Sequence, residues 1–245
     1  MSIDALNSPA ARQLAIAPEQ RSAARLIGFL YLFMMATGVF GQVFVRDRLM
    51  VPGNAAETAR NIVGSEQLFR LSVAGDLVTY IGGIVLIWAL YVLLRPVDRN
   101  LALLAVLLRL CENAILCAAT ASSLVALRLL SGADDLKALE PGQLHSLATL
   151  VISAQGLGMS VGFILLGLGS AIFAYLLLKS RYIPKVLAAW GIFASLVLAL
   201  VTLANIVFPR VGDVMGMAYM MPMGLYEVGL GLWLLIKGVQ APIVE

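Results

Sequence analysis

Six apolar windows, separated by polar breaks, run along the chain: Leu26–Val45, Leu71–Leu94, Leu101–Leu130, Leu147–Leu178, Val186–Phe208 and Val214–Ile236. Each reaches the roughly 20 residues that a helix needs to cross about 30 Å of hydrocarbon. A soluble helical bundle would need polar faces of a width not found in them. The pattern predicts an all-α fold, a polytopic six-helix transmembrane bundle with short helical outer loops.

The breaks alternate in character. RPVDRN (Arg95–Asn100) and KSRYIPK (Lys179–Lys185) are short and basic, and each holds a proline that ends or starts a helix. The connections on the other side are longer. In NAAETARNIVGSEQLFR, Asn54 followed three residues on by Glu57 has the pattern of a capping box, with asparagine in place of Ser or Thr. Gly64 ends that short helix and Ser65 caps the next. In SGADDLKALEPGQLHSLATL, Asp134 is expected to cap a further segment, and Pro141 suits the first turn of the fourth span. A cytoplasmic N-terminus puts nine of the 17 Lys and Arg residues inside and seven outside, with Arg109 in the membrane. That modest excess favours both termini on the cytoplasmic side. Residues 1–24, mixed and polar with no removed signal peptide, read as a flexible cytoplasmic tail. Residues 25–238 read as the six-span domain and 239–245 as a short C-terminal tail.

Composition agrees with this. The 245 residues are 61% hydrophobic and 13% charged, with a mean hydropathy of +0.94. The net charge of +3 is scattered over loops, so nucleic acid is not an expected partner. Cys111 and Cys117 lie about 9 Å apart along one predicted helix and cannot pair with each other. Both read as apolar fillers.

Ionisable groups inside the windows are the candidates for function. Arg109, Glu112 and Asn113 share one helical face, which continues through Thr120 and Ser123. Leaving an arginine against lipid costs at least about 2.5–3.5 kcal/mol at mid-bilayer, so this face should meet protein or water. At 1.5 Å per residue from the proposed inner ends, Arg109, Glu227 and Glu112 lie at about 12, 14 and 17 Å, whereas Asp76 and Asn205 lie at about 27 and 29 Å. Gln155 belongs to the same outer level. The expectation is a vestibule open to the outer side, with Asp76, Gln155, Asn205 and His145 at its mouth, Thr120 and Ser123 on the route inward, and Arg109, Glu112 and Glu227 at its floor. Three acids facing one base imply a carboxylate that is protonated, solvated or ion-bound. Two sets of three spans would also place Glu112 and Glu227 on corresponding third helices, as in an inverted repeat. Gly158 and Gly162 in the fourth span make a small-xxx-small pair suited to close helix packing. Trp88, Trp190 and Trp233 fall towards the inner interface as anchors.

Several chemistries are excluded. One histidine cannot build a multi-histidine zinc site or bis-histidine haem ligation. No lysine lies inside a window for a retinal-type Schiff base, and no phosphate-binding glycine motif occurs. No metal or cofactor is expected. The leading reading is a protein that binds or transports a small amphipathic or lipid-like ligand, with membrane lipids as partners and a homo-oligomer allowed. The alternatives are a lipid-directed enzyme, using paired carboxylates or Ser65 or Ser72 with His145 and Asp76, and an accessory subunit.

The stretches VPGNAAETARNIVGSEQLFR, LYVLLRPVDRNLALLAVLLRL and KSRYIPKVLAAW resemble a bacterial membrane family catalogued as domain of unknown function 4386, from about Ala24 to Lys237. Asn54 stands where the family pattern has an aspartate after the Pro-Gly. The resemblance implies an integral membrane protein of this six-helix kind and hands over no reaction, cofactor or catalytic residue.

Overall fold

In a computed structural model, residues 16–51, 54–131, 140–208, 215–216 and 218–240 are described. The expected cap at Asp134, the start of the last window at Val214, and most of both tails lie outside them. The described residues are helical with no strand. Seven helices follow one another: α1 Pro18–Leu49, α2 Ala55–Gly64, α3 Glu66–Leu94, α4 Arg99–Leu130, α5 Pro141–Ser180, α6 Lys185–Val207 and, after a 3₁₀ turn at Ala218–Met220, α7 Met221–Ile236. All except α2 are long and apolar enough to cross a membrane, counting the 3₁₀ turn with α7. The chain is a multi-pass membrane protein.

Most boundaries fall within a few residues of the hydropathy windows, but α1 begins at Pro18, inside the stretch read as a tail. Its first turn is held by Gln20, which is buried. Gln20 Oε1 accepts from the Ala17 N–H at 3.0 Å, and Nε2 donates to the Leu93 carbonyl at 3.2 Å and to Tyr182 Oη at 3.0 Å. A hydropathy window registers the hydrocarbon-length part of a helix and misses the polar turn that precedes it. At its far end α1 widens over Phe40–Arg46 into π winding, where the Asp47 N–H reaches back five residues to the Gln42 carbonyl.

Prolines and caps set the other limits. Asn54 Oδ1 accepts from the Glu57 N–H at 3.0 Å, and Glu57 Oε2 accepts from Asn54 Nδ2 at 2.9 Å, so the expected cap forms with its return bond made side chain to side chain. Ser65 closes α2 through its N–H and starts α3 through its carbonyl, which accepts from Phe69. α5 begins at Pro141 as expected. It ends where Arg181 turns left-handed at φ 57°, and Pro184 then caps α6. At 40 residues α5 is about 60 Å long, roughly twice the hydrocarbon thickness, so it must tilt strongly or project from it.

The described residues fall into two compact units. The first draws on Met1–Phe33, Val85–Leu110 and Ile164–Glu245, the second on Met34–Ile84 and Cys111–Phe163. The units cut across the two sets of three spans. Glu227 belongs to the first and Glu112 to the second, so the proposed halves are not separate compact bodies.

In the first unit α6 packs on α7. Tyr226 is fully buried against Gly191, Ser195 Oγ lies 3.7 Å from Met223 Sδ, and Trp190 Nε1 donates to the Pro222 carbonyl at 3.1 Å. Trp190, expected as an interfacial anchor, therefore also ties two helices together. In the second unit an apolar cluster of Val45, Leu49, Ile62, Phe69, Val73 and Leu127 gathers α1, α2, α3 and α4, with Ile152 of α5 packed on it. The connection containing α2 is thus fastened by side-chain burial.

Candidate functional site

The eight candidate residues divide between the units. Arg109, Asn205 and Glu227 lie in the first, and Asp76, Glu112, Asn113, Thr120 and Gln155 in the second.

In the first unit, Arg109 is 4% exposed, far from the lipid-facing position that would have argued against a role. α5 makes the room. Gly169 faces the arginine stem so closely that a Cβ there would stand 2.7 Å from Arg109 Cγ and 3.1 Å from Cδ, and one residue on, Arg109 Nη1 reaches Ser170 Oγ at 3.5 Å. A missing side chain and a small hydroxyl thus form the seat of a large cation. Glu227 on α7 is half-buried. Asn205 on α6 is also half-buried. Its Oδ1, like Oγ1 of the fully buried Thr202 one turn earlier, has no hydrogen-bond partner among the described residues.

The second unit holds a column of polar side chains between α1, α3, α4 and α5. Asn113 packs against Gly83. Towards the loop end, Tyr80 Oη and Thr120 Oγ1 lie 3.2 Å apart, and Ser123 Oγ donates to Gln155 Oε1 at 2.6 Å. Thr37 and Thr79 hydroxyls meet at 2.8 Å. Asp76, nearly buried, is ion-paired with Arg46 from the π-wound stretch of α1, beside Gly41. Arg46 lies one residue past the first apolar window, and it changes the expected arithmetic of three acids to one base. Asp76 has its own cation, so its charge is met without a bound ion. Glu112 is buried on α4, and Leu116, one turn on, packs against Gly162. Gly158 lies on Ala119, so the small-xxx-small pair of α5 serves close packing on α4.

The serine-based arrangement does not assemble. Ser72 Oγ donates to the Phe69 carbonyl at 2.8 Å, Asp76 is held by Arg46, and the half-buried His145 ring bonds neither Ser65 nor Ser72 among the described residues. Cys111 and Cys117 are free thiols on α4. Two surface grooves, at Gly64–Leu71 and between Pro18 and Arg95, are lined by none of the eight candidates.

Sequence reasoning found the buried charge on α4 and missed its surroundings. Gly169 and Ser170 are not among the candidates, and Arg46 enters only the count of outer Lys and Arg. The one signal available for Arg46 was a second arginine within a residue of a span end.

No curated protein and no solved structure matches the chain. The description "Domain of unknown function (DUF4386)" belongs to a family whose profile matches residues 26–238. With a six-span helical fold and a match over most of its length, the chain belongs to the family catalogued as domain of unknown function 4386.

Proposed function

We propose that the protein binds, and carries across a bacterial cytoplasmic membrane, a small amphipathic ligand whose anionic head is met by Arg109. One observation carries this reading: a guanidinium 4% exposed within an apolar span, seated on Gly169 and Ser170. Intramembrane cations are costly and are kept where they bind or move something. The chain around Arg109 gives up side-chain volume on α5 to hold it. Apolar helices with a few convergent polar groups suit a molecule having both characters. Glu227 and Glu112 are the carboxylates that such a carrier would use for proton or cation coupling. The basic turns Arg95–Asn100 and Lys179–Lys185 favour cytoplasmic termini.

The test compares wild type with Arg109→Ala and with the milder Ser170→Ala. Amphiphiles retained by the purified protein are read by native mass spectrometry, and thermal stabilisation is read on adding dodecyl phosphate. The expected result is retention and stabilisation in wild type, weakening in Ser170→Ala and loss in Arg109→Ala. Unchanged profiles in a folded Arg109→Ala protein would overturn the assignment.

A further inference from the structure

Away from Arg109, the first unit carries a groove of about 630 Å³ between the start of α1 and the end of α3. Glu19, Ser22, Ala23 and Leu26 form its wall on α1, and Trp88 and Val92 of α3 with Arg95 just past its end form the other. Both sets follow the spacing of one helical stripe. The helices run in opposite directions here, so the charged residues Glu19 and Arg95 share one end and Leu26 and Trp88 the other. From Arg95 to Trp88 is about 10 Å along the axis. The groove therefore passes from a charged lip to an apolar, indole-lined end over two helical turns.

Its frame is fixed. Gln20, on the same turn of α1, is bonded to the Leu93 carbonyl and to Tyr182, joining α1, the end of α3 and the turn before α6. The lip is only loosely closed. Arg95 Nη2 and Glu19 Oε2 stand 3.8 Å apart on side chains that are 50% and 78% exposed. The acid of the neighbouring turn, Asp98, is occupied by Lys179 at 3.5 Å. Arg21 stands two residues from Glu19, and Arg99 and Lys185 open α4 and α6 just after the adjoining turns, which makes this end net cationic. Trp88 is 59% exposed, in a position where indole rings favour the headgroup region.

We infer that this groove is a binding site for an anionic phospholipid of the surrounding membrane. Arg95 bonds the phosphate, and the first part of an acyl chain lies along Trp88, Val92 and Leu26. Arginine presents several donors to a phosphate, so its loose contact with Glu19 leaves capacity for the ligand. The occupant is a lipid because the groove is apolar beyond its lip and opens at the end of a membrane span. A soluble phosphate would use the lip alone.

The full-length protein is reconstituted in vesicles of phosphatidylcholine alone and of phosphatidylcholine with phosphatidylglycerol. Phosphatidylglycerol retention is then measured by native mass spectrometry, and Trp88 fluorescence by quenching with a bromine-labelled acyl chain. Phosphatidylglycerol is expected to remain bound in preference to phosphatidylcholine. Arg95→Gln should lower its retention about tenfold, a charge-assisted phosphate contact being lost. Glu19→Gln, which frees Arg95 of its competitor, should raise it. Trp88→Leu should remove most of the quenching, and Arg70→Gln on the exposed far end of α3 should change nothing. All these side chains are exposed, so folding is expected to survive. Equal retention in Arg95→Gln, or equal binding of the two lipids, would overturn the assignment. Displacement of the lipid by inorganic phosphate alone would assign the lip to a soluble anion instead. Arg109→Ala should leave the quenching of Trp88 unchanged whatever it does to total amphiphile retention, so the site stands or falls separately from the proposed transport function.

Discussion

The side-chain amide of Asn113 on α4 lies so close to Gly83 on α3 that a methyl group at position 83 would stand 2.7 Å from its nitrogen and 3.3 Å from its oxygen. Glycine here is required by proximity: it lets a polar side chain sit between two spans. Gly83→Ala should destabilise the protein by about 1–3 kcal/mol, the usual cost of overpacking a close contact. The damage should be relieved in Gly83→Ala/Asn113→Ala, because the amide that meets the methyl is gone. Unfolding of the purified protein in detergent measures both, and strictly additive losses would sink the explanation.

Arg46 and Asp76 are expected to behave as one unit. Removing either charge leaves the other in a largely buried setting, whereas removing both leaves none. Arg46→Gln and Asp76→Asn should therefore each destabilise more than a simple surface change, and the double variant less than their sum, with a coupling of about 1–2 kcal/mol. The pair is partly exposed to solvent, so high salt should reduce the coupling without abolishing it. A coupling indistinguishable from zero at low salt would mean that the pair contributes nothing beyond two solvated charges.

The six spans were legible because hydrocarbon thickness demands long apolar runs, and a run such as Leu71–Leu94 has no soluble alternative. The burial of Arg109, Glu112 and Asn113 was legible for a related reason, since lipid cannot solvate them. What sequence could not supply was the identity of the neighbours. Ser170 and Gly169 look like any small residues of a packing face, and only helix rotation brings them to Arg109. Gln20 lies in a polar stretch that hydropathy assigns to a tail, yet its three hydrogen bonds make it the pin at the start of α1. Arg46 sits just past a window, and nothing in hydropathy records that α1 widens there and carries this cation to Asp76.

Asp98 makes stability depend on acid. Its Oδ1 accepts the Leu101 N–H at 3.1 Å at the start of α4, and Lys179 lies beside Oδ2. The backbone N–H bond first, and Lys179 with it, hold this carboxyl below its ordinary value of 3.8. A group lowered in the folded state stabilises fully above its unfolded value and loses that contribution as pH falls through the folded one. Wild type should thus be more stable than Asp98→Asn near neutrality. The gap should begin to close only as pH drops below the ordinary aspartate range. Thermal unfolding of both proteins across acid pH measures it, and a constant gap down to strong acid would rule out the carboxylate as its source.

Two glycines of α5 distinguish close packing from the proposed binding role of Arg109. A Cβ at Gly167 would stand 2.5 Å from the Ser195 carbonyl oxygen and 2.8 Å from the Ala199 methyl on α6. A Cβ at Gly169 would meet Arg109 on α4. The positions are two residues apart on one helix and point to different partners. Gly167→Ala and Gly169→Ala should both destabilise by about 1–3 kcal/mol, the Gly167 change more because backbone cannot give way as an arginine stem can. Their effects on ligand should differ. Gly169→Ala displaces the guanidinium from Ser170 and should reduce stabilisation by dodecyl phosphate as Arg109→Ala does, whereas Gly167→Ala should keep it at temperatures where the protein is folded. If Gly169→Ala retained the full effect while Gly167→Ala lost it, the anionic head would have to be met at the α5–α6 contact, and Arg109 would be a packing residue with a satisfied charge.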